Sequence, residues 1–338
     1  MKKCVYVKDI CIGGGAPISV QTMTNTLTTD IKMTVEQINK SASLGADIVR
    51  VSVPDFASAE ALKLIIAETN VPIVADIHYD YKIALAAIEA GASKIRLNPS
   101  NLQKEGIREV ARMAKACSVP IRVGVNQGSF KKREVTAEEL ALKCLDSAKL
   151  LEDEGFTDIV LAVKSSDVSK TIEAYRALDK ISQYPLHIGL TESGTIKYGA
   201  VKSAVAMGAL LAEGIGDTMR ISLSGDPYQE VVLGRQILRA VGQDKDFVEV
   251  IACPTCARTV INVEEYASKV ELATAGLKKQ LKVAVMGCAV NGIGESKGAH
   301  IGVCGGKGKS ILFKDGNAVK TVNNADIISE LMKMVEEY

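Results

Sequence analysis

Short β-branched runs alternate with longer segments of helical period from residue 17 to about 240, as expected of successive strand–helix units around a parallel sheet. The strand-like runs are PISVQTMT (17–24), DIVRVSVP (47–54), PIVADIHY (72–79), SKIRLNPS (93–100), PIRVGVNQ (120–127), DIVLAVKS (158–165), PLHIGLTE (185–192) and TMRISLSG (218–225). A helical pattern follows each. In TVEQINKSASLGA (34–46), Val35, Ile38 and Ala42 share a face and Gly45 supplies the stop that helix ends favour. Gly91 and Gly155 stand likewise before strands, and Pro72, Pro120 and Pro185 open strands, where a missing N–H costs least. Eight such units at even spacing predict an α/β protein whose N-terminal part is a (β/α)8 TIM-type barrel rather than a wide open sheet. Residues 1–16 fall outside the repeat and predict a short hairpin plugging the barrel bottom, with Gly13, Gly14 and Gly15 as its turn.

After AVGQDKD (240–246) the pattern changes to VEVIACPTCART, a helical stretch near 263–280, LKVAVMGCAVNGIGE, a hairpin across the Asp-Gly pair at 315–316, and a terminal helix. This predicts a small α+β domain of about 90 residues. The expected domains are 1–245 and 246–338.

Charge narrows the function. With 41 Lys plus Arg against 40 Asp plus Glu the net charge is +1, so no global field draws the chain to nucleic acid or to an anionic membrane. No run of about 18 apolar residues is present, and the opening MKKCVYVKDICIGGG lacks a long apolar stretch. A cytoplasmic protein is expected. Its eight cysteines are then expected to be reduced thiols, thiolate ligands or redox groups rather than structural disulfides. Cys117 and Cys144 in helical patterns, and Cys4 and Cys11 in the N-terminal ribbon, are expected to be buried structural residues.

In such barrels the active site lies at the C-terminal strand ends, and here those ends are polar: Gln21 and Thr22, Arg50 and Ser52, Asp76 and His78, Arg96 and Asn98, Arg122 and Asn126, Lys164, Glu192, and Arg220 with Ser222. Alternation with period two points Arg50 with Ser52, Asp76 with His78, Arg96 with Asn98, and Arg220 with Ser222 pairwise in one direction. Guanidinium forks suit bidentate recognition of phosphate oxygens, so the expected substrate is a phosphate or diphosphate ester. A structural polar layer, with the bases paired to Asp76, Glu192 and other carboxylates, is the alternative; few strand-end acids are available for it. His78 is read first as a hydrogen-bonding partner of substrate. Glu192, among cations at the seventh strand end, is the candidate proton donor.

Cys253-Pro-Thr-Cys256 alone fits a redox dithiol, half a zinc site or half an iron–sulfur site. Cys288 follows in Met-Gly-Cys, then Asn291, Glu295 and Cys304. Cys253, Cys256, Cys288 and Cys304 would make a zinc site. Three thiolates with Glu295 would instead suit an iron–sulfur cluster with one harder, exchangeable ligand. The glycine-rich stretch 292–308 lacks the order of a phosphate-binding motif and reads as a flexible loop beside a cofactor.

The pairing of ACPTCAR (252–258) with MGCAVNGIGES (286–296), behind VRVSVP, VADIHYD, IRLNPSN, VGVNQGS, LTESG and RISLSGDP, resembles the bacterial 4-hydroxy-3-methylbut-2-enyl diphosphate synthases over essentially the whole chain. The resemblance implies a barrel followed by a [4Fe-4S] domain. It also implies an oxidoreductase acting on CH or CH2 groups in the non-mevalonate isoprenoid pathway, with an iron–sulfur protein or flavodoxin as electron donor. The reaction it implies is reductive ring opening and dehydroxylation of 2-C-methyl-D-erythritol 2,4-cyclodiphosphate, with two electrons passing through the cluster, whose unique iron binds the substrate oxygen in place of the carboxylate. Carried over residue by residue, Cys253, Cys256, Cys288 and Glu295 are the implied cluster ligands; Arg50, Asp76, Arg96, Asn98, Asn126, Lys164 and Ser222 the substrate-binding residues; and Glu192, His78 and Arg122 the catalytic ones. A homodimer in which the cluster domain of one chain caps the partner's barrel is implied as well, with flavodoxin or ferredoxin as donor and no nucleic-acid or membrane partner. Two positions depart from the family pattern: Ile293 replaces a proline, which leaves the Glu295 loop less constrained, and Ser193 replaces an alanine. The length leaves no room for the domain inserted in plant-type enzymes, so the two-domain bacterial form is expected.

Overall fold

Each of the eight expected runs contains a strand in the computed structural model, which describes all residues except Met1, Tyr79, Lys132, Arg133 and Asn291, and of Ile293 the backbone alone. Tyr79, the last residue of the third expected run, and Asn291 of the cysteine loop therefore lie outside the described residues. A hairpin of β1 (Val5–Val7) and β2 (Ile10–Ile12) comes first. The barrel strands are β3 (Ser19–Met23), β4 (Ile48–Ser52), β5 (Ile73–Asp76), β6 (Lys94–Leu97), β7 (Ile121–Asn126), β8 (Ile159–Lys164), β9 (His187–Ile188) and β10 (Thr218–Met219). Between and after them run α1 (Ile31–Ser43), α2 (Phe56–Ala67), α3 (Tyr81–Glu89), α4 (Lys104–Ala116), α5 (Ala137–Glu152), α6 (Val168–Ile181), α7 (Ile196–Ala212) and α8 (Pro227–Ala240).

The strands pair in parallel in the order β8-β7-β6-β5-β4-β3-β10-β9, and a bridge between Leu161 and Leu186 joins the two ends of that order. The result is a nearly closed (β/α)8 barrel. Alternation sorts its side chains. Val49, Val51, Ile73, Ala75, Ile95, Leu97, Ile121 and Val123 face outward into the apolar layer beneath the helices, so Arg50, Asp76, Lys94, Arg96 and Arg122 between them face inward. Gly45, Gly91 and Gly155 end helices at φ of 103°, 96° and 70°, where a Cβ would be strained.

Loop acids have another task. Asp30, Asp55, Asp80, Asp167 and Asp226 each accept a backbone N–H in the first turn of the helix they precede, a contribution of about 1 kcal/mol apiece. These carboxylates sit at the same end of the barrel as the strand-end cations, yet they serve helix ends.

The hairpin closes the opposite end, with Val5, Val7 and Ile12 packed on Ile48, Val74 and Val160 near the starts of their strands. Its turn differs from the expected one. Lys8 and Asp9 form it, Lys8 at φ 53°, while Gly13, Gly14 and Gly15, all at positive φ, carry the chain out of β2. Cys4 and Cys11 are joined across the hairpin as a disulfide with Cα atoms 6.0 Å apart, which corrects the expectation of eight unpaired cysteines. Antiparallel pairing of Tyr6 with Cys11 brings these positions together. Cys144 is buried as expected, whereas Cys117 is exposed at the C-cap of α4.

Residues Met1–Gln243 form one compact unit and Asp244–Tyr338 another. The second contains β11 (Val248–Ala252), α9 (Val263–Thr274), β12 (Leu281–Met286), α10 (Gly292–Glu295), β13 (Ile301–Cys304), β14 (Lys309–Lys314), β15 (Asn317–Asn323) and α11 (Ile327–Glu337). Its sheet runs β11-β12-β13-β14-β15, parallel through β13 and antiparallel beyond. The expected Asp315-Gly316 hairpin is present, with φ of 49° and 78°, both positive as a tight hairpin turn demands. Valines 270, 283 and 285 pack with Ile327 and Leu331 in its core.

Gly302 lies between neighbours too close for any side chain: an added Cβ would collide with the Phe313 ring and stand 2.5 Å from the Ala284 carbonyl oxygen. Gly302→Ala is expected to destabilise this unit by about 1–3 kcal/mol through overpacking, read as a lowered thermal midpoint. Among the described residues no helix is long and apolar enough to cross a membrane.

Candidate active site

Inward alternation gathers Arg50, Arg96, Arg122, Asn126, Lys164 and Ser222 around one pocket at the C-terminal strand ends, with Arg220 beside them. Two glycines make room for their heads. At Gly189 a Cβ would lie 2.6 Å from the Arg220 carbonyl oxygen and 2.7 Å from Lys164 Nζ, and at Gly124 it would touch the Arg122 and Arg96 guanidinium groups.

Asp76 is the hub of the acidic contacts. It is buried, accepts from Arg96 Nη1 at 3.0 Å, and lies 3.9 Å from Arg50 Nε. Burial pushes its carboxyl up, but Arg50, Arg96 and Arg122 outweigh burial and hold it below the ordinary carboxylate value. Arg50 is lowered to about 10 by burial first, opposed by Asp76 and reinforced by Arg220 and Arg96. Burial first, then Arg50 and Arg96, pushes Arg122 down; burial, Arg122 and Arg50 do the same to the Lys164 ammonium.

Arg220 takes the structural reading. Its Nη2 and Nε bind Glu230 of α8 at 2.9 and 3.2 Å, and its Nη1 donates to Ser222 Oγ at 2.5 Å. Glu230 is buried and also accepts from Thr22 Oγ1 and the Leu223 N–H, both at 3.0 Å. Nothing in the strand-end pattern pointed to Glu230, since it reaches inward from a helix. Among the described residues neither Arg122 nor Lys164 has a carboxylate within ion-pair distance.

The remaining expected residues are less uniform. His78 is exposed beyond β5, and its Nε2 accepts from Arg96 Nη1 at 3.0 Å. Asn98 is buried and its Oδ1 caps the turn at 99–101 by accepting the Ser100 N–H. Glu192 is exposed, in the left-handed region at φ 53°, and no ion pair joins it to a neighbouring arginine among the described residues. Ser193, the departure from alanine, is buried with its hydroxyl unpartnered.

In the second unit, Cys253 and Cys256 follow β11 and Cys288 follows β12, neighbouring parallel strands in register at Ala252 and Val285. The two loops are laced together: Val260 N donates to the Gly287 carbonyl at 2.9 Å, and Gly287 N donates to Cys253 Sγ at 3.1 Å. Gly287 is required there, because a Cβ would meet the Thr259 side chain at 2.8 Å. The Arg258 backbone N–H lowers the Cys256 thiol from its usual value, which favours the thiolate that metals bind. Cys304 lies apart in character. It is buried among Ala284, Met286, Ala299 and Phe313, and burial pushes its thiol up to about 11. Glu295 is exposed at the end of α10. Among the described residues no three of His, Cys, Asp and Glu stand close enough to hold a metal ion as they are.

A (β/α)8 barrel with a cation-lined mouth, followed by an α+β unit bearing loop thiols, defines a barrel enzyme for an anionic substrate. The GcpE TIM-barrel domain matches residues 2–235 and the GcpE protein C-terminal domain matches residues 249–337. The chain belongs to the GcpE family. It is 50% identical to the 4-hydroxy-3-methylbut-2-en-1-yl diphosphate synthase (flavodoxin) of Caldanaerobacter subterraneus subsp. tengcongensis, across 96% of this chain and 94% of that one. It is 47% identical to the enzyme of the same name from Clostridium acetobutylicum, across 98% and 97%. Among solved structures, dihydropteroate synthase from Yersinia pestis aligns with a TM-score of 0.55 at 10% identity, covering 72% of this chain and 98% of that one. The Stenotrophomonas maltophilia dihydropteroate synthase aligns at 0.53 and 17%, covering 67% and 93%. These last two likenesses concern the barrel fold alone.

Proposed function

We propose that this chain catalyses the reductive ring opening and dehydroxylation of 2-C-methyl-D-erythritol 2,4-cyclodiphosphate to 4-hydroxy-3-methylbut-2-enyl diphosphate, the reaction of its family, with flavodoxin as electron donor. The observation that carries it is the barrel mouth, where Arg122 and Lys164 face one pocket without a carboxylate partner among the described residues. Buried cations without counter-charge are costly, and a diphosphate supplies that counter-charge.

Arg50, Arg96, Arg122 and Lys164 hold the diphosphate, with Asn126 and Ser222 as further hydrogen-bonding groups at the same pocket. Asp76 orients Arg50 and Arg96 through its ion pairs. His78, tied to Arg96, is taken as a hydrogen-bonding partner of the substrate. Glu192 delivers a proton as water leaves.

The thiol-bearing loops fit an iron–sulfur group. Cys253 already accepts an amide N–H, as cluster thiolates do, Cys256 is biased toward thiolate, and Cys304 is sequestered as a thiol in an apolar cluster. A [4Fe-4S] cluster held by Cys253, Cys256, Cys288 and Glu295 would supply single electrons and one iron with an exchangeable carboxylate ligand. A homodimer, in which one chain's cluster domain caps its partner's barrel, supplies both halves of each site and excludes water on closure.

Anaerobic purification, reconstitution with iron and sulfide, and assay of iron, sulfide, zinc and turnover test this reading. About four irons and four sulfides per chain are expected, with turnover of the cyclic diphosphate driven by reduced flavodoxin. Stoichiometric zinc and no turnover after reconstitution would overturn it.

A further inference from the structure

The barrel interior contains a second polar tier that the reaction as described does not use. Lys94 opens β6, one inward position below Arg96, and is fully buried with its Nζ lacking any hydrogen-bond partner. His187 of β9 is fully buried with both ring nitrogens unpartnered, and Gln21 of β3 is buried with both amide atoms unpartnered. On β5, Val74 lies beside Lys94. The charged groups acting on Lys94 are Arg122 of β7 and Arg50 of β4, and Lys94 in turn acts on His187, which also feels Lys164 and Arg122.

Charge balance makes this tier consequential. Arg50, Lys94, Arg96, Arg122, Lys164 and Arg220 all lie on inward faces, and the buried carboxylates among them are Asp76 and Glu230. A fully protonated empty barrel would hold a large uncompensated charge away from water. The arginines cannot release a proton under ordinary conditions. Lysine can. Lys94 lies beneath the pocket that Lys164 lines, so it can respond to a bound anion without being one of its direct ligands.

We propose that Lys94 is the adjustable charge of the anion site: its amine is neutral in the empty barrel and becomes ammonium when a diphosphate binds above it, so that ligand capture takes up a proton. The step forms one N–H bond at Nζ with a proton drawn from solvent, and no other bond changes. The choice of diphosphate rests on the function proposed above; the coupling itself needs only a polyanion at Arg122 and Arg50. Burial first, and then Arg122 and Arg50, lower the Lys94 ammonium to about 7, and an anion close to those arginines opposes both neighbours.

The sign fixes where the effect is seen. Below pH 6 Lys94 is already ammonium and binding takes up no proton through it. Between about pH 7 and the raised midpoint of the complex, Lys94 is neutral in the empty protein and ammonium in the complex, so its proton uptake is greatest and the affinity falls by up to about tenfold per pH unit on its account; above both midpoints the dependence levels off.

The test has two arms. In the ligand-free protein, lysine carrying a carbon-13 label is titrated by NMR, with the Lys94 signal assigned by its loss in Lys94→Arg and Lys94→Met. A midpoint near 7 is expected, rising by about one to three pH units when the cyclic diphosphate or inorganic sulfate is present. In calorimetry with the cyclic diphosphate at pH 8, in buffers of different ionisation enthalpy, Lys94→Arg is expected to take up about 0.4 to 0.9 proton fewer than the wild type, the range that a rise of about one to three pH units gives. Arginine keeps the charge and approximate bulk, so the test stands even if Lys94→Met fails to fold. A Lys94 that stays charged beyond pH 9 in the empty protein overturns the proposal, as does a midpoint that neither anion moves. Sulfate raising the midpoint while the cyclic diphosphate fails to bind would keep the coupling and reject the substrate.

Discussion

Replacing Cys253, Cys256 or Cys288 by alanine is expected to abolish retention of iron and sulfide and to remove turnover, whereas Cys304→Ala is expected to retain both. The contrast follows from where each sulfur lies. The first three are loop residues at the ends of β11 and β12, at least partly open to solvent, and Cys253 Sγ already accepts the Gly287 N–H. A cluster that loses one of three thiolates keeps too few strong ligands to persist. Cys304 instead faces Gly292 so closely that a Cβ on that glycine would collide with its sulfur, and its thiol is raised to about 11 chiefly by burial. It acts as a small apolar side chain, so alanine there costs about 1 kcal/mol of folding stability for the lost contacts. Metal and sulfide analysis of the four reconstituted variants, with visible absorbance, separates the two ligand sets. Loss of metal in Cys304→Ala together with retention in a Glu295→Ala variant would make Cys304 the fourth ligand, and zinc in place of iron and sulfide in the retained metal would establish the zinc alternative.

The difference between Cys253 and Cys304 was only half legible in the amino-acid sequence. A C-x-x-C motif with Met-Gly-Cys further on is local, and resemblance to the family assigns it; whether Cys304 joins them depends on the packing of β13 against α10, which no local pattern carries. The barrel was legible because its signal repeats: outward Val, Ile and Leu alternate with inward polar residues in strand after strand. Arg220 shows the limit. Its strand-end position matched those of Arg50 and Arg96, but Glu230 comes in from the first turn of α8 and occupies its guanidinium. Asn98 had a readable signal that the strand-end reading passed over, since Asn followed by Pro is a common way to begin a helical turn. The hairpin turn at Lys8 and Asp9 has no such signal, since the glycines that favour turns, Gly13 to Gly15, lie after β2 instead.

Arg122→Met is expected to separate binding from folding. Arg122 is buried, its Nε lacks a partner, and burial followed by Arg50 and Arg96 disfavours its charge. Removing it relieves the empty barrel of an uncompensated cation and replaces it with apolar bulk, so the thermal midpoint of the ligand-free protein should hold or rise. The same change deletes a charge-assisted contact to the diphosphate, and binding should weaken by about 2–5 kcal/mol, roughly thirtyfold to several thousandfold. Asp76→Asn should do the reverse to folding. Arg50 and Arg96 would lose their shared carboxylate inside the barrel, at a cost of about 3–5 kcal/mol. The pH dependence agrees in sign: because the folded-state value of Asp76 is depressed, its ion pairs contribute fully above the unfolded carboxylate value and are lost as pH falls through the folded one. Thermal melts of the empty proteins from pH 3 to 8, with calorimetric binding of the cyclic diphosphate, measure both effects. A lowered midpoint in Arg122→Met with unchanged affinity would make Arg122 a structural cation and remove it from the substrate site.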